Sequence, residues 1–109
     1  MTDNEKLTML KAILDISDNS QDTLLNVYLT MAQKEIIAWH FAPDTLVDSV
    51  PTDLEMIQVN SVVAGYNIRG AENQKNHNEN GINRTFNYTD MVQYIHSNVS
   101  SYARLLWEI

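Results

Sequence analysis

The stretch DTLLNVYLTMAQKEIIAWHF, residues 22–41, limits the fold more than any other part of the chain. Leu25, Leu29, Ala32, Ile36 and Trp39 recur at spacings of four, three, four and three, which places them on one face of a helix. Leu24, Tyr28 and Met31 widen that stripe, while Asn26, Thr30 and Gln33 mark a polar side. Asp22 falls in the first turn, where a carboxylate suits the positive end of the helix dipole. About twenty helical residues span roughly 30 Å. An apolar stripe of that length has to be covered by other elements.

The covering elements also read as helices. In TDNEKLTMLKAIL, Thr2 and Glu5 have the spacing of a capping box, and Leu7, Leu10, Ile13 and Leu14 share a face, giving a short helix from Asp3 to Leu14. DISDNSQD is rich in turn and cap formers, and APDTLVDSVPTD is a loop broken by Pro43 and Pro51. Thr52 and Glu55 repeat the capping-box spacing ahead of a helix running to Arg69, with Met56, Val59, Val63 and Tyr66 on one face. Gly65 inside that helix costs about 1 kcal/mol relative to Ala, which close packing against a neighbouring element would offset. Residues 70–84 read as a polar loop turned at Asn80-Gly81, a pair that tolerates positive φ. Thr89 and Asp90 then read as the cap and first turn of a short helix to about Ser97, with Val92, Ile95 and Val99 as its apolar edge. Beyond it, Tyr102, Ala103 and Leu106 keep the helical period, so 98–109 reads either as a continuation of the helix or, as the Ser-Asn and Ser-Ser pairs favour, as an extended tail. The expected fold is all-α, a small bundle of two longer helices with short N- and C-terminal helices, in one domain over 1–109.

Composition removes several functions. A net charge of −7 and a pI near 4.6 oppose a protein that grips nucleic-acid phosphates, since that grip rests on Lys and Arg. The absence of cysteine removes a disulfide scaffold, thiolate metal sites and a Cys nucleophile together. The N-terminus is acidic and amphipathic rather than a basic leader, and no apolar run approaches membrane-spanning length, so a soluble, intracellular chain is expected. His40 reads as a cap for the carbonyls ending the long helix. His77, among Asn residues with Glu72 and Glu79, reads as a solvated loop residue, and His96 as its counterpart on the last helix. The carboxylates sit mostly at helix starts and in turns, and the three glycines are scattered, so no acid–base pair or phosphate loop emerges. No enzyme, cofactor or metal site is expected.

The aromatic and apolar residues of the last third point elsewhere. Trp107, beside Leu105, Leu106 and Ile109, is hard to place in the core of so small a domain, and an apolar terminus of this kind suits a partner surface. Arg84 and Phe86, at the far edge of the polar loop, suit contact with a neighbour. Tyr102, Arg104, Leu106 and Trp107 suit docking of the tail. A small acidic module that regulates or inhibits another protein is the alternative reading.

Order and spacing along nearly the whole chain resemble the head–tail connector (adaptor) proteins of tailed phages and prophages. There a short helix leads into an I-(S/T)-D-x-x-x-D-x-L-L element and a long helix, and Ile16, Asp18, Asp22, Leu24 and Leu25 fill that element here. GAEN…ENGINRTF resembles the family's Gly/Glu-rich loop ending in Ser/Asn-Arg-x-(F/Y), and SNVSSYARLL resembles its V-x-x-Y-x-(R/K)-(L/V) tail. The resemblance implies a virion neck protein, present in the host cytoplasm during assembly. It implies a ring of about a dozen copies beneath the portal, joined to a downstream neck protein, with DNA passing through unbound and no membrane or catalysis involved. Acidic residues lining such a ring would leave DNA free to slide.

Overall fold

A computed structural model describes residues 1–76 and 86–103, with side chains over 1–66 and 86–103. Among the described residues the fold is all-α: α1 (Asp3–Leu14), α2 (Asp22–His40), a 3-10 turn (Thr52–Leu54), α3 (Glu55–Asn76) and α4 (Tyr88–Asn98). The helix α1 has the expected bounds, and both halves of its capping box are made: Glu5 N–H donates to Thr2 Oγ1 at 3.0 Å and Thr2 N–H to Glu5 Oε1 at 2.7 Å. It ends at Asp15, which takes the left-handed conformation at φ 60° and ψ 44°. Asp15 N–H returns to the Ala12 carbonyl and Ile16 N–H to that of Lys11. This pair of bonds satisfies helix-end carbonyls and turns the chain back.

The stripe on α2 is the centre of the core. Leu25, Ala32 and Ile36 are completely buried and Leu29 nearly so, with Trp39 packed at the edge. Leu7 and Leu10 of α1, Val59 and Val62 of α3, and Met91 and Ile95 of α4 close around it. The close approach expected at Gly65 is present: a Cβ there would lie 2.5 Å from the Phe86 ring and 3.0 Å from the Asn87 carbonyl oxygen.

Four expectations are corrected. Ile13, Leu24 and Met56 do not join the core, being 45%, 40% and 42% exposed; the helix faces are narrower than a list of apolar residues suggests. Thr52 and Glu55 form no capping box, because 52–54 is a 3-10 turn and the Glu55 carboxylate is held by cations instead. The Met1 amine lies 3.0 Å and Lys6 Nζ 3.8 Å from it. Turning Glu55 inward, together with Gln58, Val59 and Val62, leaves Met56 outward. The third helix runs on to Asn76, so residues 70–76 are helical rather than loop; Ala71, Glu72, Gln74 and Lys75 are strong helix formers even where no apolar period marks them. The last helix is capped by Asn87, whose side chain accepts from Asp90 N–H at 3.3 Å, two residues before the expected Thr89.

Beyond α4 the chain leaves through Val99 in an extended conformation, φ −126° and ψ 129°. Tyr102 and Ala103 are then helical, the alternative to the extended tail favoured there.

Candidate interface site

The C-terminal half of α2 organises the exit of the tail. Glu35 and Trp39 stand at i and i+4, so they share the edge of the helix next to α4, and His40 closes the helix beside them. His96 Nε2–H donates to Glu35 Oε2 at 2.8 Å, and the Tyr88 hydroxyl donates to Glu35 Oε1 at 3.3 Å. The Trp39 indole stacks on the His96 ring, centroids 3.6 Å apart and planes 15° from parallel. Trp39 Nε1–H donates to the Val99 carbonyl at 2.7 Å and His40 Nδ1–H to that of Ser100 at 2.8 Å. Two consecutive backbone carbonyls, those of Val99 and Ser100, are thus fixed as the chain leaves α4. Partial burial and then the charge of Glu35 raise the Tyr88 phenol above its ordinary pKa, so Tyr88 is the donor to Glu35. The roles expected of two histidines are corrected: His40 binds the tail's backbone rather than its own helix end, and His96 is packed and bonded rather than solvated.

The exit of the polar segment is fixed just as firmly. Phe86 stacks on Tyr28 at 3.9 Å and 18° and seats against Gly65, while Asn87 N–H donates to the Gly65 carbonyl at 3.4 Å. Burial, followed by the neighbouring Tyr66, raises the Tyr28 phenol. At the other end of α2, the turn from α1 is a polar clamp. Asp18 Oδ1 accepts from Ser20 N–H at 3.2 Å and Ser20 Oγ–H at 2.9 Å; the bond from the Ser20 side chain, then that from its backbone, lowers the Asp18 pKa. Lys11 Nζ bridges Asn19 Oδ1 at 2.9 Å and Asp22 Oδ1 at 2.7 Å. Ile16 packs on the core and Leu25 is buried. The I-S-D-x-x-x-D-x-L-L element is therefore a corner device, and of its three apolar residues Leu24 is the exposed one.

The outer side of α2, away from the core, carries two adjoining hollows of about 450 and 430 Å³ that share Met31 and Lys34. The first reaches Glu35, Ala38 and Tyr88, and the second reaches Thr23, Val27 and Thr30. Among the described residues no group of three His, Cys, Asp or Glu side chains is placed to hold a metal ion.

Of the residues expected to meet partners, Phe86 is half-buried with its ring against Tyr28 and Gly65, and Tyr102 is half-buried where the tail turns helical. Arg84, Arg104, Leu106 and Trp107 lie outside the described residues, as does the expected loop from 77 onward. Sequence reasoning did not find the Glu35–Trp39–His96 clasp. Its signal was present in the spacing of Glu35, Trp39 and His40, but the partners lie about sixty residues away and no local pattern joins them.

A helical scaffold whose polar side chains fix the chain where it leaves α4, and which leaves large apolar side chains exposed, has the build of an assembly component. The chain belongs to the phage gp6-like head-tail connector family, whose model matches residues 4–98. It is thus a connector of the phage neck and a virion component. No curated protein and no solved structure matches it. No described helix is long and apolar enough to cross a membrane.

Proposed function

We propose that this connector forms a closed ring of about a dozen copies beneath the portal, extends the DNA channel, and offers its far side to the next neck protein. The family match over residues 4–98 carries this reading. Two physical features support it. Ring closure needs one face of each copy to meet a different face of the next, and a tail launched from a fixed point gives each copy a reaching arm. A chain of net charge −7 repeated around a channel repels DNA phosphates, so the genome slides rather than sticks.

In this role Arg84, at the edge of the polar segment, contacts a neighbour or neck partner, and Phe86 belongs to the same contact by fixing where that segment rejoins the helices. Tyr102, Arg104, Leu106 and Trp107 dock on the portal or the adjacent copy. The test is genetic and biochemical: a phage lacking this gene yields DNA-filled heads and free tails, and purified protein restores their joining. Heads and tails that join without it contradict the role. A ring whose lumen is lined by Arg69, Arg84 and Arg104 contradicts the account of DNA passage.

A further inference from the structure

The geometry points to the outer face of α2 as the seat for the C-terminal tail, residues 104–109, of an adjacent copy. The inference rests on the ring reading and names the surface that receives the arm.

The helix α2 carries two apolar strips. Alongside the core stripe, Leu24, Val27, Met31 and Ala38 recur at spacings of three, four and seven, the a/d spacing of a helix seam, with Lys34 at the remaining position; Met31 also packs on the core, and Thr23, Asn26 and Thr30 flank the strip. Val27 is 48% and Leu24 40% exposed, and Tyr88 of α4, 45% exposed, walls one end. A surface helix ordinarily has one apolar face and one polar face, so a second stripe calls for a second cover.

The tail RLLWEI fits that seat in chemistry and reach. Leu105, Leu106, Trp107 and Ile109 are apolar, and the two remaining residues, Arg104 and Glu108, are of opposite charge. The seat holds one charge of each sign, Glu35 and Lys34, beside the hollows. Six residues reach roughly 20 Å when extended, and the rise along α2 from Thr23 to Ala38 is about 22 Å. The tail begins at the C-terminal end of α2, where Trp39 and His40 hold the Val99 and Ser100 carbonyls. To fill its own seat it would have to reverse and run back along the same helix. The ring reading supplies the other copy, because a closed ring joins a face of each subunit to a different face of the next, and the seat extends from the clasp residues Glu35 and Tyr88 towards Thr23.

The chain has no cysteine, so introduced thiols report unambiguously. Full-length Thr30→Cys and Glu108→Cys chains are mixed, as concentrated protein and on completed heads, and treated with a flexible bis-maleimide. A linked two-chain product is expected from this pair. Leu46→Cys, 98% exposed in the α2–α3 loop, should give none with Glu108→Cys. Adding Val27→Asp to the Thr30→Cys chain should cut the yield at least tenfold without moving its thermal midpoint. Linkage confined within single Thr30→Cys/Glu108→Cys chains overturns the inference, because the tail then fills its own seat. Linkage of Glu108→Cys to portal alone, or no linkage in either setting, also overturns it. In those cases, heads that still acquire the connector leave the ring reading standing. A chain that never joins heads contradicts that reading instead, while linkage in concentrated protein still decides the seat.

Discussion

Gly65 and Phe86 leave no room for a side chain between them. A methyl group at residue 65 would meet the Phe86 ring at 2.5 Å, and that ring cannot swing aside because Tyr28 stacks on its other side at 3.9 Å. Gly65→Ala gains about 1 kcal/mol of helix propensity but incurs an overpacking cost of about 1–3 kcal/mol. Urea unfolding should therefore show a net loss of up to about 2 kcal/mol, and Gly65→Ala/Phe86→Leu should lose less than the two single changes added together. A stabilising Gly65→Ala would refute this contact. The two raised phenols make a second residue-level prediction. Tyr28 and Tyr88 are held above the usual 10.0, by burial first in both cases. Because the folded state favours their neutral forms, the stability they contribute is complete below the unfolded pKa and is lost as pH rises through the raised values. Among the five tyrosines, Tyr28→Phe and Tyr88→Phe should each remove a phenol from the late end of an absorbance titration of the folded protein.

The helices differ in how readily the sequence reveals them. The buried face of α2 and the bounds of α1 were legible, because a long one-sided stripe and a complete capping box leave a chain few alternatives. The second capping-box spacing misled, since Glu55 found cations in the Met1 amine and Lys6, which only the fold brings near. The extension of α3 to Asn76 was hidden because a polar helix has no apolar period to read. Of the candidate interface, the apolar character of residues 105–109 was legible, whereas the clasp that holds Val99 and Ser100 was not, since Trp39 and Val99 are brought together only by packing. Truncation tests the division of labour between clasp and tail. Removing 104–109 leaves every described packing contact in place and should shift the thermal midpoint by no more than about 2 °C, while head association is lost. Removing 100–109 also takes away the Ser100 carbonyl held by His40 and should lower the midpoint further. If the chain ending at Ala103 still joins heads, the tail is not the docking arm.

At the scale of the whole molecule, the helices bury a modest core and leave large apolar side chains on the surface, from Met9 and Ile13 on α1 to Leu24 and Val27 on α2 and Met56 on α3. A small domain buries too little surface to be generous with such exposure, and an assembly that covers it resolves the imbalance. Its acidity fits the same setting, with Asp15, Asp18, Asp44, Asp48 and Asp53 all exposed. The central claim is that this chain is the connector that recognises the portal vertex. The most direct test is co-sedimentation of purified protein with DNA-filled heads that carry the portal and with matched shells that lack it. The account predicts saturable binding to portal-bearing heads alone, at about one ring of a dozen copies per particle. Equal binding to both particles, or to neither, would contradict it.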